Sequence, residues 1–150
     1  MAIGTNDAIV KLGTTKTLEA NGASTANNVI TQADDAGYSI SADGANAPDA
    51  DFVLSVTFGT APTENSTIAL YARELNIDST SDADAPSTTY KPRYIGVFVV
   101  DNVTTAQYLK LRATDVPAEA DYYIFNNATG QTISAGWTLK VTPRTLGPSA

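Results

Sequence analysis

The side chains of this sequence best suited to chemistry are carboxylates in three polar stretches. Asp78, Asp82 and Asp84 lie close together in one of them. Hard cations such as calcium prefer several carboxylate oxygens on a flexible loop, so these three residues are candidate metal ligands. The loop lacks the spacing, the central glycine and the terminal glutamate of an EF-hand, and a solvated acidic loop explains the same residues. Residues 34–35 and 49–51 hold similar loose pairs of aspartates.

The chain contains no histidine and no cysteine, which limits the reactions it could catalyse. The commonest general base and the Ser-His-Asp triad both need histidine, while thiol nucleophiles, disulfides and zinc–thiolate sites all need cysteine. Residues 13–17 (GTTKT) do not form a phosphate loop, because the upstream glycine and the Gly-Lys-Thr/Ser sequence are missing. We therefore expect no catalytic residue, no cofactor and no enzymatic activity.

The charge of the chain argues against nucleic acid as a partner, and the shortness of its apolar runs argues against a membrane. Lys and Arg number 9 against 16 Asp and Glu, so the net charge is 9 − 16 = −7. Phosphate recognition needs clustered cations, and the cations of this sequence are scattered. The longest apolar run, residues 97–100, is far too short to cross a bilayer. No signal-peptide pattern stands at the N-terminus, so we expect synthesis in the cytoplasm of the cell that makes the protein.

Alternation of apolar and polar residues predicts a succession of β-strands. The six clearest strands are predicted at residues 52–58, 67–77, 93–100, 107–113, 121–126 and 137–142. Shorter strands are predicted at residues 9–12, 15–19 and 38–42, and a loop at residues 43–51. Pro143 is expected to end the last strand, because proline cannot donate a ladder hydrogen bond.

About eight to nine strands with no parallel βαβ alternation predict an all-β, antiparallel sandwich. A jelly roll is the natural arrangement for eight strands, and an immunoglobulin-like sandwich is the alternative. We expect a single domain at residues 15–145. Residues 1–14 are predicted to form an N-terminal arm that can extend, and residues 146–150 a flexible tail.

Six tyrosines in or near the predicted strands indicate a surface that could bind another molecule. Outward aromatic side chains can stack on sugar rings or pack against a protein, although cross-strand pairing explains most of them without a ligand. The tyrosines of this set are Tyr71, Tyr90, Tyr94, Tyr108, Tyr122 and Tyr123. Alternation places Tyr108, Lys110 and Arg112 on one outward side, and these three with Tyr71 are the candidate interaction face. Trp137 is predicted to pack in the core.

Residues 58–143 carry short motifs in a fixed order. The motifs are TAP at 60–62, TIALY at 67–71, LNID at 75–78, YIGVF at 94–98, TTAQY at 104–108, DYYIFNN at 121–127, TGQTI at 129–133 and GWTLKV at 136–141. This pattern resembles a group of small virion structural proteins of tailed bacteriophages, whose implied role is capsid decoration, also called cementing. The resemblance implies a β-sandwich on the outside of the head, often as a trimer, with the major capsid protein as partner. Its motifs are structural and imply no functional residue.

The expected function is therefore that of a non-enzymatic virion protein that stabilises the capsid from outside as a homo-oligomer, with a trimer favoured. Residues 1–14 suit an arm that pairs with strand edges of neighbouring subunits, and a frayed terminus is the alternative. A carbohydrate-binding module or adhesin on a virion, or a tail accessory protein, fits the same residues.

Overall fold

A computed structural model describes residues 8–148, and these residues form nine β-strands in two antiparallel sheets packed against each other. The predicted all-β antiparallel sandwich is confirmed. The strands are β1 (Ala8–Leu12), β2 (Lys16–Gly22), β3 (Ile30–Ser39), β4 (Asp49–Val56), β5 (Thr67–Glu74), β6 (Tyr94–Val99), β7 (Gln107–Ala113), β8 (Glu119–Asn127) and β9 (Trp137–Pro148).

Strands that follow one another in the chain mostly lie in opposite sheets. Sheet 1 has the order β9-β4-β7, with β1 and β2 both paired to the other side of β9. Sheet 2 has the order β3-β8-β5-β6. From β2 onward, every connection passes to the opposite sheet except that from β5 to β6. Neither sheet therefore consists of one continuous stretch of chain, and the two must assemble together.

The core lies between the sheets and is built by the inward side chains of each alternation. Phe52 and Leu54 of β4 are fully buried, as are Leu139 of β9 and Ile124 of β8. The rings of Phe52 and Tyr122 join the two sheets with their centroids 4.9 Å apart. Each large apolar side chain buried in this way stabilises the fold by roughly 1.5–3 kcal/mol relative to an exposed one.

The prediction that Pro143 ends the last strand is wrong, because β9 continues to Pro148. The carbonyl of Pro143 accepts a hydrogen bond from the Gly13 amide at 2.8 Å. The nitrogen of a strand residue points to the same side as its carbonyl, so the nitrogen of Pro143 faces the chain between β1 and β2. β9 changes partner from β2 to β1 at this point, and the ladder needs no donor there.

Parts of both predicted chain ends belong to sheet 1. Leu146 pairs with Val10 and Pro148 with Ala8, so the predicted flexible tail is wrong for residues 146–148. Ala8–Leu12 of the predicted arm form β1 on the chain's own sheet. Residues 1–7 and 149–150 lie outside the described residues.

The strand predicted at residues 38–42 is also wrong in its bounds, because β3 covers Ile30–Ser39 instead. Its pairing with β8 shifts register between Ala33 and Tyr38. A bulge of this kind interrupts the two-residue period of inward side chains. Alternation therefore failed to reveal the first part of β3.

Candidate functional site

Three of the four predicted interaction residues lie together on the outer face of sheet 1. Tyr108, Lys110 and Arg112 alternate along β7 and are exposed, with 76% of Tyr108 accessible to solvent. They point outward because Leu109 and Leu111, between them, pack against the core. The outward orientation predicted for these three residues is confirmed.

Tyr71, the fourth predicted residue, is on the other side of the molecule. It lies on β5 of sheet 2, between the core residues Leu70 and Ala72, and faces away from the sandwich. Its ring contacts that of Tyr94 edge to face, with the centroids 5.7 Å apart. The grouping of Tyr71 with the residues of β7 is therefore wrong, because the whole sandwich separates them.

A buried aspartate organises the charges around Lys110. Asp51 of β4 lies opposite Arg112 in the sheet register, is only 4% exposed, and accepts a 2.8 Å hydrogen bond from Arg144 of β9. Lys110 Nζ lies 3.2 Å from the same carboxylate. Burial alone would raise the pKa of Asp51, but hydrogen bonds from Arg144 and Lys110 outweigh it and hold the pKa below its usual value.

The outward side chains of β4, β7 and β9 form a surface that we call the basic face. It carries four cations against two acids, so its formal charge is 4 − 2 = +2, whereas the whole chain carries −7. Its charged residues are Lys110, Arg112, Lys140, Arg144, Asp49 and Asp51. Lys140 and Arg144 were not among the predicted interaction residues, because only the pairing of β9 with β4 brings them to the face that β7 shares.

The acidic loop after β5 does not assemble a metal site from Asp78, Asp82 and Asp84. Asp78 Oδ1 accepts backbone hydrogen bonds from Ser81 at 2.6 Å and Thr80 at 3.0 Å, and these lower the pKa of Asp78 to about 2. Asp82 Oδ1 accepts from the Asn76 amide at 3.1 Å. Asp78 and Asp82 thus satisfy the loop's own amides, and among residues 8–148 the three aspartates do not converge as a ligand group.

A different set of acids converges at the sandwich edge. Ligand atoms of Glu19, Asp34 and Asp35 lie within 4.8 Å of one another. Glu19 is buried, and its two carboxylate oxygens accept from the amides of Asn21 and Asp34 at 2.9 and 3.1 Å. Asp35 in turn accepts from the Ala20 amide at 2.7 Å. The bonds from Asp34 to Glu19 and from Ala20 to Asp35 join β2 of sheet 1 to β3 of sheet 2, so the cluster has a structural role.

The remaining tyrosines divide between core and surface. Tyr122 faces the core and is fully buried, so the outward orientation considered for it is wrong. Tyr123 faces outward but is only 7% exposed, and its hydroxyl donates to Gln32 at 3.1 Å. Tyr90 and Tyr94 are about half exposed, at 48% and 56%. Trp137 is buried in the core, as predicted.

Among the described residues, no helix is long and apolar enough to span a membrane. Comparison of the chain with protein-family models, with curated proteins and with solved structures finds no match.

Proposed function

We propose that this protein is a non-enzymatic structural protein of a tailed-phage virion that decorates and stabilises the outer surface of the capsid. The observation that carries the proposal is the basic face, where Tyr108, Lys110 and Arg112 are exposed side by side on the outer face of sheet 1. Tyrosine and arginine are enriched at the centres of protein interfaces, because each supplies a large contact area together with hydrogen-bonding groups. The sequence motifs of residues 58–143 support the assignment to a virion.

The proposed partner is the major capsid protein, and the proposed binding form is a homo-oligomer, with a trimer favoured. Each chain would make modest contacts, and several linked copies on a regular lattice would raise the overall avidity. A protein that binds only the assembled shell stabilises that shell by mass action. Binding through the basic face would therefore stabilise the capsid without any catalysed reaction.

We also propose that the sandwich is a jelly roll. With β1 and β2 counted as one interrupted strand, each sheet has four strands, and consecutive strands alternate between sheets except β5 and β6. An immunoglobulin-like sandwich differs, because its first two strands are neighbours in one sheet. In this protein β2 and β3 lie in different sheets.

The deciding experiment compares particles of the encoding phage with and without this protein. We expect particles without it to release their genome at a lower temperature, and particles that carry it to show it on the head by negative-stain imaging of a labelled chain. Equal release temperatures would contradict stabilisation. Label on the tail would favour the tail accessory role.

A matched pair of variants tests the face. Tyr108→Ala removes an exposed ring from sheet 1, and Tyr94→Ala removes one from sheet 2. Truncating a central interface residue costs on the order of 2 kcal/mol, or about 30-fold in affinity. We expect Tyr108→Ala to bind empty particles about 30-fold more weakly and Tyr94→Ala to bind them almost as tightly as the wild type. Equal effects of the two variants would contradict docking through the basic face.

A carbohydrate-binding function on a virion is the second candidate, favoured by the Tyr71–Tyr94 pair on the outer face of sheet 2. Exposed aromatic rings can stack on the apolar face of a sugar. A glycan array, repeated with and without a chelator, tests this function. A specific hit that Tyr94→Ala abolishes and Tyr108→Ala leaves intact would favour it over capsid decoration.

A further inference from the structure

A small groove lies at the end of the basic face, where β9 extends beyond β4. Its volume is about 70 Å³, and its lining residues are Val10, Asp49, Arg112, Arg144, Thr145 and Leu146. β4 pairs with β9 only as far as Arg144, so residues 145–148 have β1 on one side and no strand of the described chain on the other. The groove is therefore open to a partner approaching the outer face of sheet 1.

The two arginines of the groove retain unused hydrogen-bonding capacity. Arg112 is exposed, and no carboxylate of residues 8–148 lies within 4.0 Å of it. Arg144 donates to Asp51 through Nη1, while its Nε is buried without a partner. That Nε has almost no accessible surface, so the exposed guanidinium of Arg112 is the group that an incoming acceptor reaches directly. Both guanidinium groups thus favour an anionic occupant.

Asp49, the acid in the groove, forms no ion pair with the two arginines, which leaves them able to bind another group. Asp49 lies opposite Arg144 in the register of β4 and β9, yet it forms no ion pair with either arginine within 4.0 Å. Its Oδ1 accepts instead from the Asp115 amide at 3.4 Å. Lys110 and Arg144 share the carboxylate of Asp51, and the lining of the groove, with Arg112, Arg144 and Asp49, carries a formal charge of 2 − 1 = +1.

The size and walls of the groove limit what can enter it. Sites that hold a whole small molecule measure roughly 300–1,000 Å³, several times the volume found in this groove. A single side-chain group fits instead. Two of the lining residues, Val10 and Leu146, pair across β1 and β9 and are 52% and 76% exposed, so one side of the groove is apolar. Such walls suit a protein surface, and the net charge of −7 disfavours nucleic acid.

We propose that this groove binds the carboxylate side chain of an acidic residue on a protein partner. Arg112 and Arg144 would hold the carboxylate by charge-assisted hydrogen bonds, and Val10 and Leu146 would pack against the apolar surface around it. This inference rests on the proposed docking of the basic face and adds the chemistry of the partner: a glutamate or aspartate within an apolar patch.

An NMR titration of the isolated protein tests the site. The probe is N-acetyl-glutamate methylamide, whose only charge is the side-chain carboxylate, and its neutral control is N-acetyl-glutamine methylamide. We expect saturable shifts of the backbone amides of Arg112, Thr145 and Leu146, with a Kd on the order of 10 mM for a ligand of this size. Arg112→Gln should weaken binding about tenfold, because it removes charge-assisted hydrogen bonds.

Lys140→Gln is the matched control, because Lys140 is an exposed cation of the same face and does not line the groove. It should leave the Kd within about twofold of the wild-type value, since exposed charges at a distance are screened by salt. Equal weakening by both variants, equal shifts with the glutamine derivative, or tighter binding of inorganic phosphate would each overturn the carboxylate site. The titration needs no particle, so its failure would rule out the carboxylate site and would not rule out capsid decoration. Failure of the particle experiment would likewise rule out capsid stabilisation and would not rule out the carboxylate site.

Discussion

Gly22 and Trp137 face each other at the start of β9, and the indole of Trp137 fills the space that a side chain at residue 22 would need. A Cβ atom built on Gly22 would lie 2.0 Å from Cε2 and 2.4 Å from Nε1 of that ring. The indole is held by the core around it and by a 2.7 Å hydrogen bond from Nε1 to the Ala23 carbonyl. The absence of a side chain at residue 22 is therefore what lets the largest core residue pack beneath β2.

Gly22→Ala should destabilise the fold by about 3 kcal/mol, because overpacking a closed core forces ring or backbone to move. Chemical denaturation at neutral pH measures the effect. Gly59→Ala is the control, since a Cβ at Gly59 meets no atom within 4 Å. The control should change stability by less than about 0.5 kcal/mol. Similar losses for both variants would show that the close approach of Gly22 and Trp137 is not the cause.

Asp51→Asn should destabilise the protein at neutral pH by about 3 kcal/mol, because it leaves Arg144 without its buried counter-charge. The pKa of Asp51 is lowered in the folded state, so its contribution is complete above the unfolded pKa of about 4 and is lost as the pH falls through the folded pKa. Unfolding free energies measured from pH 7 to pH 2 should fall less steeply for Asp51→Asn than for the wild type.

Asp84→Asn is the control for that series, because Asp84 is an exposed loop residue that forms no ion pair within residues 8–148. Its stability curve should follow that of the wild type between pH 7 and pH 4. A wild-type pH dependence that Asp51→Asn leaves unchanged would contradict the assignment to Asp51.

The turn of the acidic loop makes its own titration prediction. The carboxyl of Asp78 should titrate with a pKa of about 2 by carbon-detected NMR, because the backbone amides of Ser81 and Thr80 donate to its ionised form. Ser81→Ala removes the additional hydroxyl hydrogen bond of 2.9 Å and should raise that pKa. A pKa near 4 in the wild type would mean that the turn is not formed in solution.

Hydrogen exchange should distinguish β1 from the centre of sheet 1. Within residues 8–148, β1 pairs only with β9 and is mostly exposed, whereas β4 lies between β7 and β9. Local opening needs less free energy where few apolar contacts must break. We expect the amides of Ala8–Leu12 to exchange at least about 100-fold faster than those of Phe52 and Leu54, by NMR at neutral pH. Equal protection would indicate that β1 is held more firmly than its contacts explain.

Much of the fold could be predicted from the sequence, because most strands of this sandwich have one buried and one exposed face. β7 was predicted with its observed bounds, and the strand predicted at residues 67–77 begins at Thr67 as β5 but ends at Glu74. Prediction failed where local pattern and tertiary pairing disagree. The bulge in β3 hides its alternation, and Pro143 lies inside β9 because the partner strand changes beside it.

The candidate site shows the same division between local pattern and long-range pairing. A period of two along one strand is a local property, so the sequence by itself determined that Tyr108, Lys110 and Arg112 share an outward side. Only the tertiary structure decided that Tyr71 lies on the opposite sheet and that Asp51 and Arg144, 93 residues apart, meet beside Lys110. Which strands become neighbours depends on long-range backbone pairing and on filling one common core, and no short stretch of sequence records either.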